Sequence, residues 1–167
     1  MPFTPPIKGV DQDHVYGALD VYTKMDEIGQ EVAIIGGGST GCELGIELAR
    51  RGKNVTILEM GDILAKNSNI LYRIGLRQAL EKESTLHTKL NIKVVEIARD
   101  GVVYEEAGKQ KFIPASTVIL STGMRTNPHL IDSFYGIVPD TFVIGDANKP
   151  RNVMDATREG YFIAKNL

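Results

Sequence analysis

The sequence has little of several residue types that mark other classes of protein. Its single cysteine, Cys42, excludes an internal disulfide, a Cys-x-x-Cys redox pair and a cysteine-ligated cluster within this chain. The absence of tryptophan and the presence of only three histidines disfavour an aromatic binding surface and a metal cage. Those histidines show no ligand spacing, so we expect no metal site.

Long apolar runs and a surplus of one charge are also missing. No apolar stretch approaches the ~20 residues that cross a bilayer, and the first residues, Met1–Pro6, do not resemble a signal peptide. The net charge is −2 without a long run of either sign, which disfavours nucleic acid and anionic membranes as partners. These features predict a cytoplasmic globular protein.

Glycine is abundant, and it follows β-branched runs. Val32–Ile35 is a short apolar run that ends in glycine, as expected of a buried parallel strand. A helical apolar pattern follows and closes at Gly52, a candidate residue just beyond the helix end. Asn54–Leu58 is a second buried strand, so strand, helix and strand fit within about thirty residues.

The remaining pattern continues an α/β fold. Residues 67–82 form a second predicted helix, whose inward-facing residues are expected to be Ile70, Ile74, Leu76 and Leu80. Between Leu86 and Ile113 the period changes towards two, which suits an antiparallel meander. Residues 117–120 form a further apolar strand, and residues 153–166 a final helix. The predicted fold is Rossmann-like α/β, with a mostly parallel sheet and an antiparallel β-meander crossover.

The turn after the first buried strand has a dinucleotide-binding fingerprint. It reads Gly36-Gly37-Gly38-Ser39-Thr40-Gly41, between a strand and a helix as the fingerprint requires. The first glycine permits a tight turn, the second lets the backbone approach a pyrophosphate, and the third allows close packing of helix and strand. Anionic phosphates are then bound by free N–H groups at the positive end of the helix.

Glu59 ends the second strand, 18 residues beyond Gly41. A carboxylate there accepts hydrogen bonds from the adenosine ribose hydroxyls. A 2′-phosphate would meet a like charge, so the cofactor is expected to be NAD(H), with NADH favoured over NADPH. Taken alone, without the glycines, Glu59 favours the simpler interpretation of a solvated charge at a strand end. Cys42 is interpreted as a small packing residue, because no histidine is placed to activate it.

Three segments resemble one family of flavoenzymes. Residues 32–60 look like the NAD(P)-binding domain of two-dinucleotide flavoprotein oxidoreductases. Residues 118–123, ending in Thr122-Gly123, resemble the segment where that domain crosses back to the flavin domain. Residues 141–146, ending in Gly145-Asp146, look like the family's second flavin motif, in which the aspartate binds the ribityl chain of FAD. Residues 145–160 are most similar to old-yellow-enzyme-type NADH:flavin oxidoreductases, the 2,4-dienoyl-CoA and enoate reductases.

The resemblance implies roles that the residues alone do not. It implies that Glu43 contacts NADH near the nicotinamide; without it, Glu43 is a carboxylate favourably placed near the start of a helix. It also implies hydride transfer from NADH to FAD in a parent enzyme that reduces an enoyl, dienoyl-CoA or enoate double bond. No residue of this chain is expected to be catalytic. The first FAD motif, the FMN barrel and the iron–sulfur cluster of that branch are not found in this sequence.

The resemblance divides the chain into three parts. Residues 1–29 are expected to be an extended lead-in from a flanking flavin domain, residues 30–124 the NAD(H)-binding domain, and residues 125–167 the C-terminal piece of an incomplete FAD domain. We therefore expect a piece of a larger enzyme whose partners are the nicotinamide dinucleotide and the rest of the flavoenzyme. Two alternatives are the NAD domain of an NADH oxidase or ferredoxin-reductase type enzyme, and a nucleotide-binding module without chemistry.

Overall fold

The computed structural model describes all 167 residues, which divide into two compact units. The sheet unit comprises residues 4–122, and the terminal unit comprises residues 1–3 and 123–167. None of the helices combines the length and the apolar composition that crossing a bilayer requires.

The sheet unit contains eight strands and two α-helices. In chain order they are β1 (Val15–Gly17), β2 (Glu31–Ile35), α1 (Ser39–Arg50), β3 (Asn54–Leu58), α2 (Ile70–Lys82), β4 (Leu86–Lys89), β5 (Lys93–Ala98), β6 (Gly101–Glu106), β7 (Lys109–Pro114) and β8 (Thr117–Leu120). Five strands form a large sheet in the order β1-β8-β2-β3-β4, and every neighbouring pair is parallel. The strands β5, β6 and β7 form a separate antiparallel sheet.

Both faces of the large sheet are covered. Alternate residues of β2 belong to different buried clusters: Val32 and Ile34 pack with apolar residues of α1 and α2, whereas Ala33 and Ile35 pack with residues of β5 and β6. Because successive side chains of a strand point to opposite faces, the helices cover one face and the small sheet covers the other. Burial on both faces explains why β2, β3 and β8 read as continuous apolar runs.

The predicted α/β fold is therefore confirmed, with two strands that the sequence did not indicate. Residues 4–29, expected to be a lead-in, lie within the sheet unit because β1 pairs with β8 through Val15 and Val118. β4 was expected to belong to the meander, but it is a parallel edge strand of the large sheet.

The second helix begins later than expected, and fewer of its apolar residues are buried. Asn69 caps it by accepting a hydrogen bond from the Tyr72 amide at 2.9 Å, so the helix begins at Ile70. Leu76 and Leu80 are buried as predicted. Ile70 and Ile74 are 59% and 44% exposed, which corrects their assignment to the core, because no described element covers that side of α2.

The terminal unit contains two further helices, α3 (Pro128–Asp132) and α4 (Val153–Lys165), and a 3-10 turn at Gly145–Ala147. Asn152 caps α4 by accepting a hydrogen bond from the Asp155 amide at 3.0 Å. The apolar residues 142–144 form no strand, because no strand lies beside them in this unit.

Candidate functional site

The carboxyl ends of three parallel strands meet at one place in the sheet unit. The turn Gly36–Gly41, called the glycine turn below, follows β2, Glu59 follows β3, and Ser121 follows β8. The Gly36 amide donates to the Leu58 carbonyl at 2.9 Å, and the Ser121 amide donates to the Ile35 carbonyl at 2.8 Å. Crevices at the carboxyl ends of parallel strands are where α/β sheets bind ligands.

Two of the fingerprint glycines are required by packing. Gly36 has a φ of +109°, and a Cβ atom there would lie 2.2 Å from the Ser121 carbonyl oxygen. At Gly41 a Cβ atom would lie 2.1 Å from the Gly36 carbonyl oxygen. Since each obstacle is backbone, any side chain would force the chain apart. These two glycines hold β2, α1 and the segment after β8 in close contact.

The second fingerprint glycine, Gly38, faces open space. It is exposed and is the N-cap of α1, and a Cβ atom there would meet no atom within 4 Å. No side chain caps this helix, and its first turn contains no acidic residue. The amides of Ser39 and Thr40 lie in that first turn, where a helix offers its N–H groups no internal acceptor. The helix start therefore presents free donors and a positive dipole end.

Glu59 lies beside the glycine turn. Its carboxylate accepts hydrogen bonds from the Gly37 amide and from the Gly61 amide, each at 2.6 Å. The side chain is half-buried. A carboxylate has about four acceptor positions, so two backbone donors orient the group and leave acceptors for a ligand hydroxyl. This local contact also ties the ends of β2 and β3 together.

Glu43 is exposed on α1 and is hydrogen-bonded by the Tyr72 hydroxyl, which belongs to α2. Partial burial and this hydrogen bond raise the pKa of Tyr72 to about 12. The phenol therefore stays protonated at neutral pH and keeps donating to the carboxylate. This hydrogen bond joins α1 and α2 through two residues that are 29 positions apart in sequence.

Cys42 is buried at the same helix start, and its thiol donates a weak hydrogen bond to the Gly37 carbonyl at 3.5 Å. Burial, followed by the nearby carboxylates of Glu59 and Glu43, raises the pKa of Cys42 to about 12. A thiol that stays protonated is a poor nucleophile. Its packing role agrees with the interpretation from sequence.

The other sequence-predicted residues belong to two different units. Thr122 is the last residue of the sheet unit and Gly123 the first of the long terminal-unit segment. In the terminal unit, the Gly145 amide donates to the Glu159 carboxylate at 2.7 Å, and Asp146 accepts from the Arg151 amide at 3.4 Å. The structure thus brings together the glycine turn, Glu43 and Glu59, while Gly145 and Asp146 lie in the other unit.

Sequence reasoning missed two partners of the site, Tyr72 and Gly61. Tyr72 lies on α2, and no local pattern indicates that its hydroxyl reaches a residue of α1. Gly61 follows Glu59 by two positions, and a carboxylate followed by a glycine-containing turn was an available signal for the hydrogen bond between them.

The fold and the glycine turn define a Rossmann-like dinucleotide-binding protein. Residues 1–160 match the pyridine nucleotide-disulphide oxidoreductase family. A metal reductase of Desulforamulus reducens is 32% identical over 96% of this chain and 28% of its own length. A cinnamate reductase of Clostridium sporogenes is 33% identical over 99% of this chain and 25% of its own length. A 2-naphthoyl-CoA reductase structure, in complex with 2-naphthoyl-CoA, superposes with a TM-score of 0.88 at 29% identity, covering 96% of this chain and 24% of that one.

The chain belongs to the pyridine nucleotide-disulphide oxidoreductase family, a group of FAD- and NAD(P)-using enzymes. It is similar to one domain of such an oxidoreductase, and it spans about a quarter of the length of the curated relatives it matches.

Proposed function

We propose that the sheet unit binds NADH, with the pyrophosphate on the start of α1. The observation that carries this proposal is the start of α1 at Gly38. No side chain caps it, and no protein atom lies within 4 Å of the position of a Cβ atom at Gly38. The amides of Ser39, Thr40 and Gly41 are donors for an anionic group, and no acidic residue lies in the first turn to repel it. Gly36, Gly37 and Gly41 hold this backbone in place.

Glu59 is the proposed ribose acceptor. Its two backbone donors fix the carboxylate at the end of β3, and its remaining acceptor positions suit the adenosine ribose hydroxyls. A 2′-phosphate would lie against this charge. Neither Met60 nor Gly61, the next two residues, supplies a cation to offset the repulsion. NADH is therefore preferred to NADPH.

Glu43 is proposed to contact the nicotinamide half of the dinucleotide, as the family resemblance implies. The Tyr72 hydroxyl restricts where the Glu43 carboxylate can move, which reduces the entropy lost when it meets a ligand. Thr122 and Gly123 are proposed to lie where the chain passes from the NAD domain to the flavin domain. Gly123 has a φ of +94°, a backbone conformation that favours glycine.

The terminal unit is proposed to be part of an FAD domain, with Gly145 and Asp146 directed to the ribityl chain. Asp146 is exposed, and Gly145 is held by Glu159. Many of the unit's large apolar side chains are exposed, which supports completion by further protein. They are Leu130, Phe134, Tyr135, Ile137, Val138, Phe142, Ile144, Val153, Met154, Tyr161, Phe162 and Leu167.

The parent enzyme is proposed to be an old-yellow-enzyme-type reductase that also contains FMN and an iron–sulfur cluster outside this chain. When bound, NADH would supply a hydride for FAD in that parent enzyme, and the reducing equivalents would serve the reduction of an enoyl, dienoyl-CoA or enoate carbon–carbon double bond. The likeness to a cinnamate reductase and a naphthoyl-CoA reductase, each over more than nine-tenths of this chain, supports this choice. The residues of this chain bind and orient; none acts as an acid or base.

Calorimetric titration with NADH, NADPH and FAD tests the proposal. We expect NADH to bind more tightly than NADPH, and FAD to bind weakly because its site is incomplete in this chain. Gly38→Ala should weaken NADH binding about tenfold, since the added methyl occupies the space where the pyrophosphate approaches.

Gly75→Ala is the matched control. A Cβ atom at Gly75 also meets no atom within 4 Å, but Gly75 lies on α2 and not in the glycine turn. It should leave NADH binding unchanged. Equal NADH affinity for Gly38→Ala and the unaltered chain would refute pyrophosphate binding at this turn. Tight FAD binding would refute the half-site interpretation of the terminal unit.

A further inference from the structure

A groove with a volume of about 460 Å³ lies in the sheet unit, and one of its lining residues, Leu64, lies against Gly37 of the glycine turn. It is lined by α2, by residues 62–64 and by the edge strand β4. Sites for small molecules have volumes of about 300–1,000 Å³, so the groove is large enough for one. Its walls are mainly aliphatic: Ile63, Leu64, Ile74, Leu76, Leu86 and Leu90.

The groove is open because β4 is the last strand of the sheet. Leu86 and Thr88 lie on the same side of this edge strand, since side chains alternate along it. No strand pairs with the outer edge of β4, so no further strand of the sheet covers the outer side of α2. Ile70 and Ile74 consequently remain 59% and 44% exposed on the helix.

The charged residues that line the groove are paired, with one exception. Asp62 pairs with Lys66 at 3.4 Å, and Arg77 pairs with Glu81 at 3.4 Å. Arg73 also lines the groove but forms no salt bridge, and its Nε atom is buried without a hydrogen-bond partner. A buried N–H of a charged group without an acceptor is unfavourable, so an acceptor brought by a ligand would be strongly favoured.

We propose that this groove binds a small hydrophobic carboxylic acid. The carboxylate accepts hydrogen bonds from the Arg73 guanidinium, whose planar fork suits a bidentate pair. The hydrocarbon part lies on Ile74, Leu76 and Leu86. The site shares no residue with the proposed NADH site and does not depend on that proposal.

Octanoate and octan-1-ol are suitable probes, because they share a hydrocarbon chain and differ in the charged head group. In calorimetric titrations of the unaltered chain, octanoate should bind at a single saturable site and at least about tenfold more tightly than octan-1-ol. In amide NMR spectra, octanoate should shift the resonances of residues 86–90 and leave those of β7, residues 109–114 in the separate antiparallel sheet, in place. Equal binding of the two probes, or no saturable binding of octanoate, would overturn the proposal.

Arg73→Met keeps an apolar stem and removes the guanidinium. It should abolish the preference for octanoate over octan-1-ol, whereas Arg73→Lys should retain part of it. Arg77→Met is the matched control, because Arg77 lines the same groove one turn along α2 but is already paired with Glu81. Unchanged octanoate binding to Arg73→Met would also refute the site. The probe comparison uses the unaltered chain, so it is decisive even where a variant does not fold.

Discussion

The sheet unit and the terminal unit each contain two α-helices but differ in how much apolar surface they bury. The sheet unit has two clusters of buried apolar residues, one on each face of the large sheet. In the terminal unit, α4 is 13 residues long and contains no buried residue. Gly145 is the one residue of that unit that is buried.

The difference shows that a helix can form from capping and ion pairs between residues close in sequence, without burying apolar side chains. α4 has an Asn152 cap and ion pairs from Arg151 to Asp155 and Glu159, all within its own sequence neighbourhood. The sheet unit adds contacts between strands far apart in sequence, such as β1 with β8. Because exposed ion pairs contribute little and buried apolar area contributes much, we expect most of the folding free energy to reside in the sheet unit.

A pair of matched leucine truncations should show the largest difference between the units. Leu48 is fully buried on α1, whereas Leu130 on α3 is 56% exposed. Leu48→Ala should lower the free energy of unfolding by about 2–5 kcal/mol, and Leu130→Ala by less than about 0.5 kcal/mol. Urea unfolding followed by circular dichroism measures both. Similar losses for the two variants would mean that the terminal unit has a core of its own.

Alanine substitutions at two glycines with positive φ should distinguish the cost of a steric clash from the cost of backbone strain in the sheet unit. Gly36→Ala combines an unfavourable φ with a backbone clash at Ser121, and should lower the free energy of unfolding by more than about 2 kcal/mol. Gly52 has a φ of +82° with open space around it. Gly52→Ala should therefore lose only about 1 kcal/mol. Equal losses in thermal or urea unfolding would contradict the close approach of Gly36 to Ser121.

Much of this fold was predictable because its signals are local. β2, β3 and β8 are apolar runs that end at polar residues or glycine, and Gly52 marks the end of α1. The meander was predictable from Asp100-Gly101 and from Gly108, whose φ of +75° completes a tight turn between β6 and β7.

The strands β1 and β4 were not predictable from their own residues. β1 has three half-buried residues and is defined by pairing with β8, about a hundred positions later. β4 lies at the sheet edge with His87 and Thr88 exposed, so it has no apolar run. Ile70 and Ile74 have helical spacing, but spacing cannot show that their side of α2 lacks a cover.

The candidate site divides in the same way. The glycine turn and Glu59 follow strands directly, so their spacing in sequence could predict a shared location. The Tyr72–Glu43 contact and the unpaired Arg73 depend on how α2 packs, which no short motif records.

Nucleotide binding should depend on the sheet unit and not on the terminal unit. Glu59→Gln leaves one carbonyl oxygen where two carboxylate oxygens now serve Gly37 and Gly61, so NADH affinity should fall about tenfold. The preference over NADPH should narrow, since the like charge is gone. Asp146→Asn, in the terminal unit, should change NADH affinity by less than about twofold.

Calorimetric titration of both variants measures these changes. Unchanged NADH and NADPH affinities in Glu59→Gln would exclude Glu59 from the binding site. An equally large loss of NADH affinity in Asp146→Asn would mean that the terminal unit takes part in binding this nucleotide.

The smallest expected effect is a pH dependence of the sheet unit that originates at Cys42. Burial raises the pKa of this thiol from its ordinary value of 9.0 to about 12 in the folded chain. The unfolded chain therefore releases the proton first, and the stability due to the protonated thiol is full below pH 9.0 and is lost between pH 9.0 and about 12. Between about pH 8 and about pH 10, the free energy of unfolding should fall by about 1 kcal/mol through this group.

Cys42→Ala should remove this fall, because an alanine cannot titrate, while any packing loss it causes is the same at both pH values. The pKa of Tyr72 is also raised on folding, from 10.0 to about 12. Because Tyr72 is 36% exposed, solvent reduces its contribution to stability. Tyr72→Phe should therefore keep most of the fall. The urea midpoints of the three proteins at the two pH values measure the effect. If Cys42→Ala loses as much stability between the two pH values as the unaltered chain does, the pKa of the thiol is the same in the folded and unfolded states, and Cys42 is not buried in the folded chain.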